Sequence, residues 1–156
     1  LNPHRPLLCL LPGSRTREIH ALLPVFLETA ARLRRDDPQL QIILPTLPNL
    51  QKLATSYVDS AGVPVTVIPQ QADKYTAMQI STVALHASGT VALELALCHT
   101  AMVTAYKVSA ISAWLARRLL NIRNVNLVNI LAGTKIVPEY LQEACTTDNL
   151  HAAVHD

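Results

Sequence analysis

The sequence predicts an α/β fold, a doubly wound parallel sheet of about six strands with helices on both faces. Three observations predict it. Short, nearly continuous apolar runs such as Leu7–Leu11 and Ala101–Ala105 alternate with segments of helical period. Strands apolar on both faces are the mark of a parallel sheet covered on both sides. The 156 residues, 50% hydrophobic and 15% charged, suffice for one domain with a full core.

The elements follow in order. Leu7–Leu11 is the first strand, stopped by Pro12-Gly13. Arg15–Arg35 reads as a helix, with Ile19, Leu22, Leu23, Phe26, Leu27, Ala30 and Leu33 on one face and a kink expected at Pro24, which lacks a backbone donor. Leu40–Leu44 is the second strand, Asn49–Ser60 the second helix, and Gly62 its stop. Val65–Ile68 is a strand, Ala72–Gln79 a short helix, Thr82–His86 a strand, Thr90–Cys98 a helix and Ala101–Ala105 a strand. Ala110–Leu120 is helical, Asn126–Val128 is expected as a short strand, and Pro138–Ala144 as a helix with proline in its first turn. A weakly patterned tail over 146–156 is expected to fray.

Composition narrows the function. A net charge of +2 is too small for a dedicated nucleic-acid binder, and 4% aromatic residues give little to stack bases on. Few charges among many apolar residues exclude disorder. Cys9, Cys98 and Cys145 are three and widely spaced, so they read as small buried hydrophobes in a reducing compartment. No run reaches the ~18 apolar residues that cross a bilayer, and no signal-peptide pattern opens the chain. The chain starts at Leu1 in a Pro-rich lead and reads as cut from something longer.

In doubly wound sheets ligands sit at the carboxyl ends of the strands. Leu11-Pro12-Gly13-Ser14-Arg15 joins the first strand to its helix. Gly13 permits a tight turn, Ser14 can cap, and Arg15 adds donors beside free N–H groups. The motif is neither GxGxxG nor GxxxxGK[ST], so it is either an anion site or an ordinary turn with a solvated arginine. Ser88-Gly89-Thr90 ends another strand and opens a helix, again offering N–H groups to an anion such as a pyrophosphate. Glu94, one turn on, is the only Asp, Glu, Lys or Arg between Lys74 and Lys107. A lone carboxylate in an apolar helix needs a partner. The two hydroxyls of a ribose would serve, or the group reaches water. Asn129, Glu139 and Gln142 form a polar-tipped third group that is either a ligand contact or a set of caps. His4, His20, His86, His99, His151 and His155 show no HxxxH or HExxH spacing, so no metal site is expected. Ser88 lacks a GxSxG elbow and is not a nucleophile.

Five collinear motifs, LPGSR (Leu11–Arg15), ASGTVALE (Ala87–Glu94), MVTAYKVS (Met102–Ser109), NILAG (Asn129–Gly133) and PEYLQ (Pro138–Gln142), resemble the lipid-A-disaccharide synthase family over roughly Leu7 to Gln142. The resemblance implies one Rossmann-like half of a GT-B glycosyltransferase, with 1–156 as the C-terminal, nucleotide-sugar-binding domain and the N-terminal acceptor domain lying outside the chain. It implies transfer of 2,3-diacylglucosamine from UDP to 2,3-diacylglucosamine 1-phosphate, with inversion, forming a β-1,6 bond and UDP in lipopolysaccharide biosynthesis. It implies no metal and no cofactor, since helix-end N–H groups and basic side chains stabilise the leaving diphosphate.

By the same resemblance, Arg15 and Asn129 bind the UDP-sugar and Glu94 its ribose; Gly13, Ser14, Ser88, Gly89, Thr90 and Gln142, from the loops read above, complete the expected donor site. The general base is expected on the N-terminal domain, so this segment alone is expected to be inactive. Its partners would be the two lipid-sugar substrates, its own N-terminal domain and a second copy in a homodimer. The location implied is cytoplasmic, or peripheral on the cytoplasmic face of the inner membrane. The Trp114 helix, Ala110–Leu120, either lies at a bilayer surface or packs on the sheet with its arginines in water. Two alternatives remain at this point: another GT-B enzyme, such as a UDP-N-acetylglucosamine 2-epimerase or a different UDP-sugar transferase, and a nucleotide-binding module without chemistry.

Overall fold

The computed structural model describes residues 1–68, 71–107 and 125–156. Strands β1 (Leu7–Leu11), β2 (Gln41–Pro45), β3 (Thr66–Ile68), β4 (Val83–Ala87), β5 (Ala101–Tyr106) and β6 (Glu139–Leu141) form one sheet in the order β3-β2-β1-β4-β5-β6. Every pairing is parallel. The order runs outward from β1 to β3, then restarts on the other side of β1 with β4, where Leu8 faces Val83 and Leu11 faces His86. That reversal opens a crevice at the carboxyl ends of β1 and β4, the place where sheets of this kind take ligands.

Strand periodicity divides the core between two faces. Leu8 and Leu10 point to a cluster with Leu44, Leu85 and Val103 beneath α1 (Thr16–Asp36) and α2 (Gln51–Ala61). Leu7, Cys9 and Leu11 point the other way, to Ile43, Ala84, Met78 of α3 (Gln71–Gln79) and Leu95 of α4 (Val91–Leu97). The expected helix faces are buried, with Ile19, Leu22, Leu23, Phe26, Leu27, Ala30 and Leu33 all under α1. Pro24 lies inside α1, and the helix runs on through it. Pro24 cannot donate to the His20 carbonyl, and both residues are exposed, so solvent can take the place of the missing donor. Gly62 ends α2 in the left-handed region, φ +64°.

Three expectations from the sequence are corrected. Asn126–Val128 is not a strand: the Asn126 side chain accepts from Val128 N at 2.7 Å and caps α5 (Leu127–Ala132). Pro138–Ala144 is not a helix, since Glu139–Leu141 pairs with β5 as the edge strand and a 3-10 turn, Gln142–Ala144, follows. Proline is tolerated there because Pro138 sits just before an edge strand and gives only its carbonyl, to Thr104 N at 2.9 Å. The tail does not fray. It forms α6 (Thr147–His155), which packs on α1 through the fully buried Leu150. Arg32–Asp148 is an ion pair between the two helices, and His151 Nε2 lies 2.5 Å from Asp36 Oδ2. The expected Ala110–Leu120 helix lies outside the described residues.

Candidate functional site

The crevice is a cleft of about 430 Å³. Its walls are the loops after three neighbouring strands: Gly13–Arg15 after β1, Pro45–Leu47 after β2 and Ala87–Thr90 after β4. Glu18, Lys74 and Glu94 enter from the helices. Of the nine residues expected to bind donor, the structure brings seven together here: Gly13, Ser14, Arg15, Ser88, Gly89, Thr90 and Glu94. Gly13 and Gly89 adopt φ +119° and +146°, conformations that L side chains rarely take, so both loops need glycine to bend over the strand ends.

The start of α1 is capped from within. Glu18 Oε2 accepts from Ser14 N at 2.8 Å and from Arg15 N at 3.0 Å, while Arg15 Nη1 donates to Glu18 Oε1 at 2.8 Å. The cap residue is therefore Arg15, and Ser14 contributes its backbone N–H where the sequence suggested a capping hydroxyl. The Arg15 side chain is 79% exposed, so its ion pair with Glu18 adds little stability and leaves the guanidinium free to re-aim.

Across the cleft, the N–H groups of Gly89, Thr90 and Val91 precede the first bonds of α4, in which Ala92 N donates to Gly89 O at 3.3 Å and Leu93 N to Thr90 O at 3.0 Å. Ser88 Oγ donates to Val125 O at 2.8 Å, which ties this loop to the chain ahead of α5. Glu94 has a partner that its isolation in the sequence concealed: its Oε2 lies against the Lys74 ammonium. That oxygen is buried and makes no hydrogen bond among the described residues; Thr46 Oγ1, on the β2 side of the cleft, is buried and unbonded in the same way.

Asn129 and Gln142 stand outside the cleft lining. Asn129 is fully buried and committed to its own chain. Its Oδ1 accepts from Ile136 N at 2.9 Å and Val137 N at 2.8 Å, and its Nδ2 donates to Val137 O at 2.8 Å and Glu139 Oε1 at 2.5 Å. Glu139 Oε2 in turn accepts from Val125 N at 2.8 Å. Gln142 follows β6 and opens the 3-10 turn with φ +53°.

Beneath the Ser88 loop runs a buried polar chain. His86 Nδ1 lies 2.7 Å from Ala87 O, and since a carbonyl can only accept, that nitrogen carries the proton. Nε2 then accepts from Thr104 Oγ1 at 2.9 Å, and Thr104 Oγ1 accepts from Asn126 Nδ2 at 2.6 Å. Burial pushes the His86 pKa down from 6.5 to about 4, against smaller opposing effects of the Ala87 carbonyl and Glu139. The same cause pushes the Cys9 thiol up to about 12, which fits an inert packing role. Among the described residues no three His, Cys, Asp or Glu side chains group as metal ligands.

Sequence reasoning missed Glu18, Lys74 and Thr46. A signal existed for the first two: Glu18 stands three residues after the cap position, the spacing of a capping box, and Lys74 is the charged residue that precedes Glu94 along the chain.

The family model described as lipid-A-disaccharide synthetase matches residues 1–155. The lipid-A-disaccharide synthase of Rhodopseudomonas palustris (strain HaA2) is 41% identical over 151 residues, covering 97% of this chain and 38% of that protein. That of Rhodospirillum centenum is 45% identical over 152 residues, again 97% and 38%. The chain thus spans less than half the length of these curated relatives. Among solved structures, E. coli ADP-heptose lps heptosyltransferase II matches with TM-score 0.67 at 10% identity, covering 99% of this chain and 47% of that one. The UDP-GlcNAc 2-epimerase of Neisseria meningitidis matches with TM-score 0.54 at 16% identity, covering 85% and 36%. At those identities the likeness is one of fold, that of one domain in larger enzymes. The match over residues 1–155 and identities above 40% establish more: the chain belongs to the lipid-A-disaccharide synthase family.

Proposed function

We propose that the cleft binds the UDP moiety of UDP-2,3-diacylglucosamine, and that the enzyme carrying this segment transfers the sugar to 2,3-diacylglucosamine 1-phosphate. The transfer inverts the anomeric centre, forms a β-1,6 bond and releases UDP. The observation that carries the reading is the meeting of two helix starts and the Glu94 carboxylate in one cleft at the sheet's switch point. Family membership supplies the sugar chemistry. A structural neighbour whose fold this chain shares was solved bound to UDP-GlcNAc, which supports a uridine nucleotide in such a cleft.

The chain's residues divide the work. Negative charge grows on the leaving diphosphate as the glycosidic bond breaks, and fixed donors stabilise it more than they stabilise the ground state. The N–H groups of Gly89, Thr90 and Val91 are positioned for this, as is the Arg15 guanidinium. The N–H groups of Ser14 and Arg15 join them once the Glu18 carboxylate moves aside. Glu94 accepts hydrogen bonds from the ribose diol and so sets where the diphosphate falls. No residue of this segment is assigned as the general base, which the reading places on the other domain, together with the acceptor. No metal or cofactor enters the mechanism. Contact with the lipid substrates is read as peripheral; among the described residues no helix is long and apolar enough to cross a membrane.

A thermal-shift panel of UDP, GDP, ADP and NAD tests the reading. Stabilisation by UDP above the other three is expected, and a preference for NAD would remove it.

A further inference from the structure

We propose that Lys74 is a positioning residue for ribose recognition: its ammonium anchors the buried Oε2 of Glu94 and holds that carboxylate ready for the nucleotide's 2′,3′-diol. The proposal rests on the reading of Glu94 as the ribose ligand and adds to it the group that aims the ligand.

The two residues come from different crossovers. Lys74 lies in the first turn of α3, which follows β3, and Glu94 lies in α4, which follows β4; the two helices pack together on one face of the sheet. Both side chains line the cleft. They are 21% and 26% exposed, so their attraction is screened less than that of a surface pair. Among the described residues Glu94 Oε2 makes no hydrogen bond, and the Lys74 ammonium against it is the charge that compensates its burial. The lysine is itself located, since its Nζ sits 5.2 Å from the centre of the Tyr75 ring.

Consequences for recognition follow from the asymmetry of the carboxylate. A free glutamate samples many rotamers, and fixing one costs entropy that a ligand must otherwise supply. With Oε2 held inside, Glu94 is ordered before the nucleotide arrives and its remaining acceptor sites stay available to the ligand. Without Lys74, a buried oxygen is left uncompensated and the carboxylate turns towards water. Selectivity for the diol should then fall, while contacts to base and diphosphate persist.

The test compares UDP with 2′-deoxy-UDP by calorimetric titration of the protein, of Lys74→Met, which keeps the aliphatic stem, and of Lys74→Arg, which keeps the charge. Removing one hydroxyl that bonds to a carboxylate should weaken binding to the unaltered protein roughly tenfold or more. In Lys74→Met that ratio should fall to about two or below, with UDP now bound nearly as weakly as its deoxy counterpart, and Lys74→Arg should restore most of it. Circular dichroism checks that each variant is folded, and Lys74→Gln replaces Lys74→Met if the latter is not. An unchanged ratio in a folded variant overturns the proposal. So does an equal loss for both nucleotides, which would make Lys74 a phosphate ligand. If the unaltered protein itself ignores the missing hydroxyl, the ribose role of Glu94 fails, and the positioning role with it.

Discussion

Glu18 occupies the space that a side chain on Gly13 would need: a Cβ placed on Gly13 would lie 2.3 Å from Glu18 Oε2. The glycine that lets the loop turn after β1 also admits a carboxylate onto the N–H groups of Ser14 and Arg15. The acid sits where an anionic ligand would and satisfies the helix start itself. A diphosphate that uses those donors must displace it.

Glu18→Ala should therefore separate stability from affinity. Loss of the cap should cost about 1 kcal/mol in chemical denaturation, the usual magnitude for a helix cap. UDP should bind more tightly, since two N–H donors no longer have to be vacated. If affinity is unchanged, the diphosphate contacts only the Ser88–Thr90 side. Gly13→Ala should lose about 1–3 kcal/mol, because φ +119° strains any other residue. Adding Glu18→Ala to it should recover only the part due to the collision.

Protonation of His86 should make stability depend on pH. The unfolded imidazole takes a proton near 6.5 and the folded one only near 4, so the unfolded chain binds more protons between those values. This contribution is whole above about 6.5 and is lost as pH falls towards about 4, by up to about 3 kcal/mol. Nitrogen chemical shifts of the ring check it: the Nδ1–H tautomer should persist at pH 5. A ring titrating near 6.5 would contradict the buried chain through Thr104 to Asn126.

Asn129→Ala should be strongly destabilising, by more than about 3 kcal/mol, because it strands Ile136 N, Val137 N, Val137 O and part of Glu139 at once. Denaturant titration measures this. A stable variant that has lost UDP binding would instead place the Asn129 amide on the donor, as the family resemblance suggests.

Leu150→Ala should cost about 2–5 kcal/mol, the range for a fully buried leucine. A frayed tail would make the same change silent.

The strands of the sheet's interior were legible because β1, β2, β4 and β5 are apolar runs, and the cleft was legible because Gly13 and Gly89 follow two of them. The edge was not legible. Glu139–Leu141 is too short and too polar to show a strand period, and the proline before it mimics a helix start. Asn126 looked like part of a strand because a cap acts through its side-chain oxygen, which apolar periodicity does not register. The α6 tail has only Leu150 as a fully buried anchor, and its ties to Arg32 and Asp36 cross more than a hundred residues. The Lys74–Glu94 pair was half visible: the solitary carboxylate announced that it needed a partner, but the fold decides which cation reaches it.

The most direct measurement is calorimetric titration of UDP into the protein and its Glu94→Ala variant. The variant should keep its fold, because Lys74, left without its partner, can extend its ammonium to water on its four-carbon stem, and denaturant titration reads any stability loss apart from the binding loss. Its affinity for UDP should fall roughly tenfold or more, since hydrogen bonds from the ribose to a charged acceptor contribute about 1.5–3 kcal/mol each. A folded Glu94→Ala protein that binds UDP as tightly as the unaltered one would contradict the assignment of this cleft as the nucleotide site.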